Sequence, residues 1–385
     1  MNDGSRQPAR AGWPLGLVGM LAIVVATERY IAHRPADLGT MYSLEWNGTG
    51  HAISRNAAAA KLHCYGTSLT RLGVSPKIIH EKTGLPSYNF ALSGGQPYAS
   101  YTALRKALRM GSKPEALVVD FKWSAIATPS TWNERVLPEV ASLAECAELA
   151  LATNDWNYLA RITLVRELPS YRCRTEIRAN ILAAVRGLEP KRNWERLTMN
   201  RNAAANLGAT HTPRGNYDGS IKADDPSLFP VDWKCDPISE LYIDKFMELA
   251  ASRNIQVYWL LHPIAPAAQA RREALGSDEA YTRFVKAVVA RHPEVSVVDA
   301  RRSGFGNEAF FDTTHLNRDG AVAFSDELGR AIRARRETTG SDQPYWVSLP
   351  PYRKATETAR VEDLSETLAA MTSETKAKNE AKLVR

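Results

Sequence analysis

Aromatic residues are sparse in this 385-residue chain, at 8% of positions, and it has only four cysteines, none in a C-x-x-C pair. The spacing of Cys64, Cys146, Cys173 and Cys235 argues against a zinc ribbon or a thioredoxin-type redox motif. No Gly-rich phosphate loop, dinucleotide fingerprint or cluster of metal-ligand residues is present, so no cofactor and no metal is expected. A mean hydropathy of −0.33 excludes a polytopic membrane protein. Charge of one sign is not in large excess: 49 Lys and Arg against 42 Asp and Glu leave +7. Without a basic and aromatic motif, nucleic acid is set aside as a partner. Hydrophobic residues at 44% and charged residues at 24% are ordinary globular proportions. They exclude collagen-like, coiled-coil and wholly disordered chains. No internal repeat is visible.

One long apolar run is present. Ala11 to Thr27 is 17 residues without a charge, at the lower limit for a bilayer-spanning helix. Arg6 and Arg10 precede it, as in the n-region of an export signal, and Val24 and Ala26 place small residues before a cleavage point at Thr27. Residues 1–34 therefore read as a signal anchor or a removable signal with its flank. The folded part is expected to face the periplasm or exterior from a single membrane anchor, or to be secreted if the signal is cut. Arg29 and Arg34 follow the run, so basic residues flank it on both sides and do not set its orientation. Exported cysteines could pair in three ways, with Cys64, on the first strand, expected to stay free. Residues 337–385 hold seven basic and eight acidic residues, Leu349-Pro350-Pro351 and few large apolar side chains. That composition predicts a polar tail, mobile or forming a solvated helix.

Between the ends, short apolar runs alternate with helical stretches. Lys61–Tyr65, Tyr88–Leu92, Ala116–Phe121, Ile255–Leu261 and Val295–Val298 read as strands. Pro76–Lys82, Tyr98–Met110, Ile238–Arg253, Ser277–Arg291 and Gly320–Arg335 read as helices, the first with Ser75 as N-cap and proline at its first position. Strands that are apolar throughout and alternate with helices imply an α/β fold with a parallel sheet covered on both faces. Two core parts, 35–130 and 238–336, are then separated by an insertion at 131–237. The insertion reads as helical over Glu134–Leu151, Asn157–Leu168 and Thr175–Val185, then as a loop from Asn200 to Asp236. Its Arg161–Arg201 stretch holds ten basic and four acidic residues, so +6 of the net charge lies there. Such a stretch is either a solvated face or a basic cap over a binding site, with Trp156, Tyr158, Tyr171 and Trp194 available to stack on sugar rings.

Two motifs carry chemistry. Gly66-Thr67-Ser68 follows the first strand directly, and the carboxyl ends of parallel strands are where ligands bind. Asp312-Thr313-Thr314-His315 precedes the last helix of the core. A serine hydroxyl needs a base to act as a nucleophile; histidine supplies one, and a carboxylate holds the imidazole in the right tautomer. His63 alternates out from the first strand and reads as a structural residue. His262-Pro263 ends a strand and could line the site, and Asn47-Gly48-Thr49 is a glycosylation sequon.

In combination, with Asn89-Phe90-Ala91-Leu92-Ser93-Gly94-Gly95-Gln96 between them, these motifs resemble the SGNH/GDSL hydrolase family. The likeness is to the exported branch with alginate O-acetyltransferase-type and D-alanyl transfer proteins, and covers about Lys61–Asp120 and Ile255–Arg335. Ser68-Leu69-Thr70-Arg71-Leu72-Gly73-Val74-Ser75-Pro76 resembles that branch's nucleophile segment. The resemblance implies a three-layer α/β/α, flavodoxin-like fold on a five-stranded parallel sheet. It implies Ser68 as nucleophile, His315 as base and Asp312 as orienting acid. The oxyanion hole would use the backbone N–H groups of Ser68 and Gly94, with Gly95 the alternative to Gly94. Two departures stand out: Thr67 replaces the usual aspartate of Gly-Asp-Ser, and Val119-Asp120-Phe121-Lys122-Trp123 replaces the block that carries a third, asparagine donor. Lys122 and Trp123 are the residues in place to substitute.

The implied activity is that of a serine acyl esterase or O-acyltransferase on an envelope or extracellular glycan, by way of an acyl-serine intermediate. Its partners would be an acylated glycan or small ester, the membrane through the N-terminal segment, and a membrane acyl donor. The alternative is a degenerate member that binds envelope glycan without turnover. A reporter fused after Arg385 is expected to be active outside the cytoplasm, and N-terminal sequencing distinguishes an anchor from a signal cut before Thr27. Reporter activity confined to the cytoplasm contradicts export.

Overall fold

The computed structural model describes residues 15–34, 38, 41–129, 133–188, 194–215, 217–226, 228–338, 345–354 and 359–383. Arg6 and Arg10 lie outside the described residues. Six short strands form one parallel sheet: β1 (Leu62–Tyr65), β2 (Ser87–Asn89), β3 (Ala116–Val119), β4 (Gln256–Leu261), β5 (Ser296–Asp299) and β6 (Tyr345–Ser348). Their order is β2-β1-β3-β4-β5-β6, with Tyr65 beside Val119 and Leu261 beside Asp299. Each strand reaches the next through at least one helix, as parallel neighbours require.

The two-residue period of the strands divides their side chains between two cores. Leu117, Val119, Val257, Trp259 and Leu261 face helices Pro97–Arg109, Pro237–Ala251 and Ser277–Arg291. Leu62, Cys64, Val118, Tyr258, Leu260 and Val298 face helices Pro76–Thr83 and Arg318–Glu337. Burial on both faces is why these strands read as unbroken apolar runs. Each fully buried Val, Leu or Ile contributes roughly 1.5–3 kcal/mol relative to exposure. Pro76 does start its helix, but Ser75 makes no side-chain cap; its N–H donates to Ser325 Oγ at 2.8 Å instead.

The sheet has six strands where five were expected. β6 comes from the segment whose composition predicts a tail, and it pairs along β5 with Trp346 beside Val297. Farther on, Val361 is fully buried with Ile78 and Val322, and helix Leu364–Leu383 packs on helix Trp194–Ala205. The second of these contacts is held largely by polar groups, which a count of apolar residues does not register. Asn202, fully buried, donates from Nδ2 to Glu362 O at 2.8 Å and Thr367 Oγ1 at 2.9 Å, and its Oδ1 accepts from His211 N–H at 3.0 Å.

The insertion between β3 and β4 contains helices Leu143–Thr153, Trp156–Glu167, Pro169–Arg172, Arg174–Val185 and Trp194–Ala205. The last of these occupies part of what reads as loop from Asn200 onward. Ser142 and Glu145 form a capping box at the start of the first helix. Trp46, Tyr98, Leu149, Tyr158 and Ile162 form a third core that fastens this half of the insertion to the body. At the other extreme, helix Leu15–Ala32 exposes its apolar side chains and buries only Ile31. Its 18 residues give ~27 Å of helix, the length and composition of a signal anchor or signal sequence. All four cysteines are free thiols.

Replacing Asn202 by Ala leaves several buried groups without partners, a cost of about 1–3 kcal/mol for each such group. Amide hydrogen exchange is expected to accelerate after residue 360 while β1, β3 and β4 stay protected. Acceleration spread evenly over the sheet would show that the C-terminal segment does not dock as a separate unit.

Candidate active site

Four chain segments meet at the carboxyl edge of the sheet. Ser68 follows β1, Asp120 follows β3, His262 follows β4, and Asp312 and His315 lie on the loop between β5 and helix Arg318–Glu337. The strand order reverses between β1 and β3, and that switch point opens the crevice where ligands bind in such sheets.

The turn that presents Ser68 is built from Gly66 and Thr67. Gly66 has φ of 125°, and a Cβ at that position would collide with the Asp120 carboxylate. Asp120 accepts from the Thr67 N–H at 2.8 Å and from the Thr67 hydroxyl at 2.7 Å. Thr67 Oγ1 in turn accepts from Leu69 N–H at 3.2 Å and caps the helix Ser68–Gly73. Ser68 is thus the first residue of a helix whose start is fixed from below.

His315 Nε2 lies 2.8 Å from Ser68 Oγ, and His315 Nδ1 lies 2.8 Å from Asp312 Oδ2 and 3.0 Å from Oδ1. A carboxylate only accepts, so Nδ1 carries the proton and Nε2 is left to accept from the serine hydroxyl. Asp312 Oδ1 also accepts from the N–H groups of Thr314 at 2.8 Å and His315 at 2.9 Å. Partial burial opposes ionisation of Asp312, but the bonds from the His315 ring and these two N–H groups outweigh it and hold the carboxyl down to about 2. Asp312 is therefore a carboxylate throughout the neutral range. The loop is closed by a bridge between Phe310 and Leu316, and Asn317 Oδ1 accepts from Gly320 N–H at 3.0 Å to cap the following helix.

The Leu92–Gly95 loop lies against this turn, with Leu92 N–H donating to Gly66 O at 2.9 Å. Gly95 N–H donates to Leu92 O at 2.7 Å and is committed there. Gly94 has φ of 69°, and its carbonyl accepts from Asn133 Nδ2 at 2.9 Å.

Of the residues named as substrate-lining, Trp123 does not line the site. It is buried in the core, its indole N–H donates to Leu228 O at 2.9 Å, and the Arg272 guanidinium lies over its ring at 4.0 Å. His262 is buried beneath the nucleophile helix, sharing a 3.0 Å hydrogen bond with the Thr70 hydroxyl. Burial, with the nearby His315, pushes it down to about 4, so it is a neutral positioning group. Lys122 follows Asp120 at the crevice; burial lowers it to about 8, with Asp120 and Asp312 acting the other way. His63 is structural: fully buried, bonded to Tyr65 OH at 3.0 Å and Ala57 O at 3.1 Å. The sequon residue Asn47 is half-buried in helix Met41–Asn56 and donates to Glu139 at 2.9 Å.

Several charges of the insertion's basic stretch are engaged in ion pairs. Arg161 pairs with Glu134 at 2.8 Å, Arg172 with Glu139 at 2.5 Å and Arg201 with Glu374 at 2.5 Å, and Tyr158 is fully buried. The Trp194 side chain lies outside the described residues. The return loop of the insertion borders the triad. Arg318 N–H donates to Thr212 O at 3.1 Å, and the Tyr217 and Thr313 hydroxyls lie 3.3 Å apart.

No family model matches the chain, and the search of curated proteins finds no similar one.

Asp120 and Asn133 are the site residues that sequence reasoning missed. A carboxylate one residue past a strand was visible, but not that its strand neighbours β1. Asp120→Ala is expected to slow labelling of Ser68 by a fluorophosphonate about 10²-fold, the cost of a nucleophile displaced by roughly 1 Å. The fold, checked by circular dichroism, should persist. An unchanged labelling rate refutes the positioning role.

Proposed function

We propose that the chain is an exported serine acyl esterase or O-acyltransferase of SGNH type, acting on acyl groups of an envelope or extracellular glycan. The observation that carries this reading is the hydrogen-bonded series Ser68–His315–Asp312 at the carboxyl edge of a parallel sheet. The strand order from β2 to β5 is also that of a flavodoxin-like sheet, which the SGNH resemblance implies, with β6 added at one edge.

In the first half-reaction, Ser68 Oγ attacks the acyl carbon as its proton passes to His315 Nε2. The negative charge of Asp312 stabilises the imidazolium. The oxyanion is met by the N–H groups of Ser68 and Gly94. The intermediate collapses to acyl-Ser68, and the departing alcohol takes the proton from His315. In the second half, water or a sugar hydroxyl gives its proton to His315 and attacks the acyl carbon, and Ser68 Oγ departs taking that proton back from His315. Water as acceptor makes an esterase and a hydroxyl makes a transferase, with a membrane acyl donor supplying the group in the second case. The absence of a third, asparagine donor typically costs ~10²–10³ in rate. Lys122, still cationic at neutral pH, is the nearby group that offsets part of it.

That missing donor favours one competing reading, a glycan-binding protein without turnover. The two separate by experiment. Ser68→Ala and His315→Ala should each remove ester turnover by about 10³-fold or more, the double variant being little worse because the pair acts as a unit. Asp312→Asn should be milder but severe. Additive losses, or a fluorophosphonate adduct on another serine, sink the triad. Glycan binding with no adduct at all supports the non-catalytic reading.

A further inference from the structure

Helix Arg174–Val185 of the insertion carries an apolar stripe that no described part of the fold covers. Ile181, Leu182 and Val185, with Leu188 just beyond the helix, are 58%, 45%, 79% and 60% exposed. Their spacing places them along one side. Exposed Arg174, Arg178 and Arg186 flank the stripe. The helix's one carboxylate, Glu176, is turned toward the body, where it pairs with Arg135 at 3.4 Å. Ile177, Asn180 and Ala183 share that inner, half-buried side. An apolar stripe bounded by arginines, with no acid on the outer face, suits a layer of anionic headgroups over acyl chains.

The position of the helix points to the same partner. It follows directly on helix Pro169–Arg172, where Ser170 donates its N–H to Glu28 at 2.8 Å and its hydroxyl to the other oxygen of that carboxylate. Glu28 is the first charge after the apolar run, so it marks the level at which helix Leu15–Ala32 leaves a hydrocarbon layer. Tyr30, 56% exposed, stands just past it with the Arg34 guanidinium 4.6 Å from its ring centre. An aromatic ring and a cation at that height are what a membrane interface attracts.

We propose that helix Arg174–Val185 is a second membrane contact, lying in the headgroup region of the leaflet from which the N-terminal helix emerges. Its arginines meet lipid phosphates, and its apolar stripe enters the acyl boundary. The proposal rests on reading Leu15–Ala32 as an uncleaved span. One span leaves the domain free to rotate about it; a span plus an interfacial helix fixes how the catalytic edge faces the membrane. Arg174, Arg178 and Arg186 are then the charges of the basic stretch that serve the bilayer.

The test uses the full chain in vesicles of phosphatidylcholine and phosphatidylglycerol. A bimane fluorophore is placed by Leu182→Cys, by Val185→Cys, by Leu21→Cys within the span, and by Glu279→Cys on an exposed helix of the core; the chain without an added cysteine gives the background. Lipids with nitroxides at shallow or deep positions act as quenchers. Positions 182 and 185 are expected to be quenched, more strongly by the shallow nitroxide, while 279 is not. The triple variant R174E/R178E/R186E should bring 182 and 185 down to the level of 279 and leave 21 quenched. Positions 182 and 185 unquenched with 21 quenched overturns the contact and leaves the anchor standing. Position 21 unquenched removes the anchor, and the proposal with it.

Discussion

The place of Ser68 depends on one buried carboxylate. Asp120, 1% exposed, grips the turn after β1 with both oxygens, and the space it occupies is the space a side chain at Gly66 would need. A carboxylate buried this deeply is costly unless its oxygens are satisfied. Thr67 supplies both a backbone and a hydroxyl donor.

From that turn the constraints spread outward through the helix Ser68–Gly73. Thr70 is held from beneath by His262, while Arg71 donates to Ala91 O at 3.0 Å and pairs with Glu45 at 3.4 Å. Arg71 therefore links the nucleophile helix both to the segment that leads into Gly94 and to helix Met41–Asn56. On the opposite wall, the three-residue spacing from Asp312 to His315 lets one carboxylate orient the ring and accept two backbone N–H groups from the same turn. Each half of the site is rigid before the halves meet. The 2.8 Å contact between Ser68 and His315 joins them, and helix Arg318–Glu337 packs on helix Ser68–Gly73 beside it, with Ser325 Oγ 3.3 Å from Gly73 O.

The outlying segments are organised by a different rule. Polar, specific contacts tie them to one another, Ser170 to Glu28, Asn202 to the backbone of Glu362 and Arg172 to Glu139, while the third core and the buried Val361 fasten them to the body. Such polar contacts add little net stability where they are exposed and are costly to break where they are buried. They set where a segment docks more than how strongly the whole chain folds. Together with the third core, this is how a basic insertion takes a defined position beside the N-terminal helix.

Local pattern was enough for the α/β class. Apolar runs of four to seven residues alternating with helical stretches read as strands buried on both faces, and the two side-chain cores follow from their period. Ser68, Asp312 and His315 were legible because each sits where a strand ends or a helix begins, and because local chemistry leaves a serine, an acid and a histidine in a workable pattern. Tertiary structure decided the rest. The adjacency of β1 and β3 gave Asp120 its role, and adjacency in a parallel sheet is a long-range property that no short window contains. Trp123 looked available because a sequence does not show which indole N–H a distant carbonyl will claim. β6 and the docking of the C-terminal helix were not legible, because backbone pairing along β5 and polar anchors such as Asn202, whose partners lie more than 150 positions away, leave no mark in a local apolar pattern.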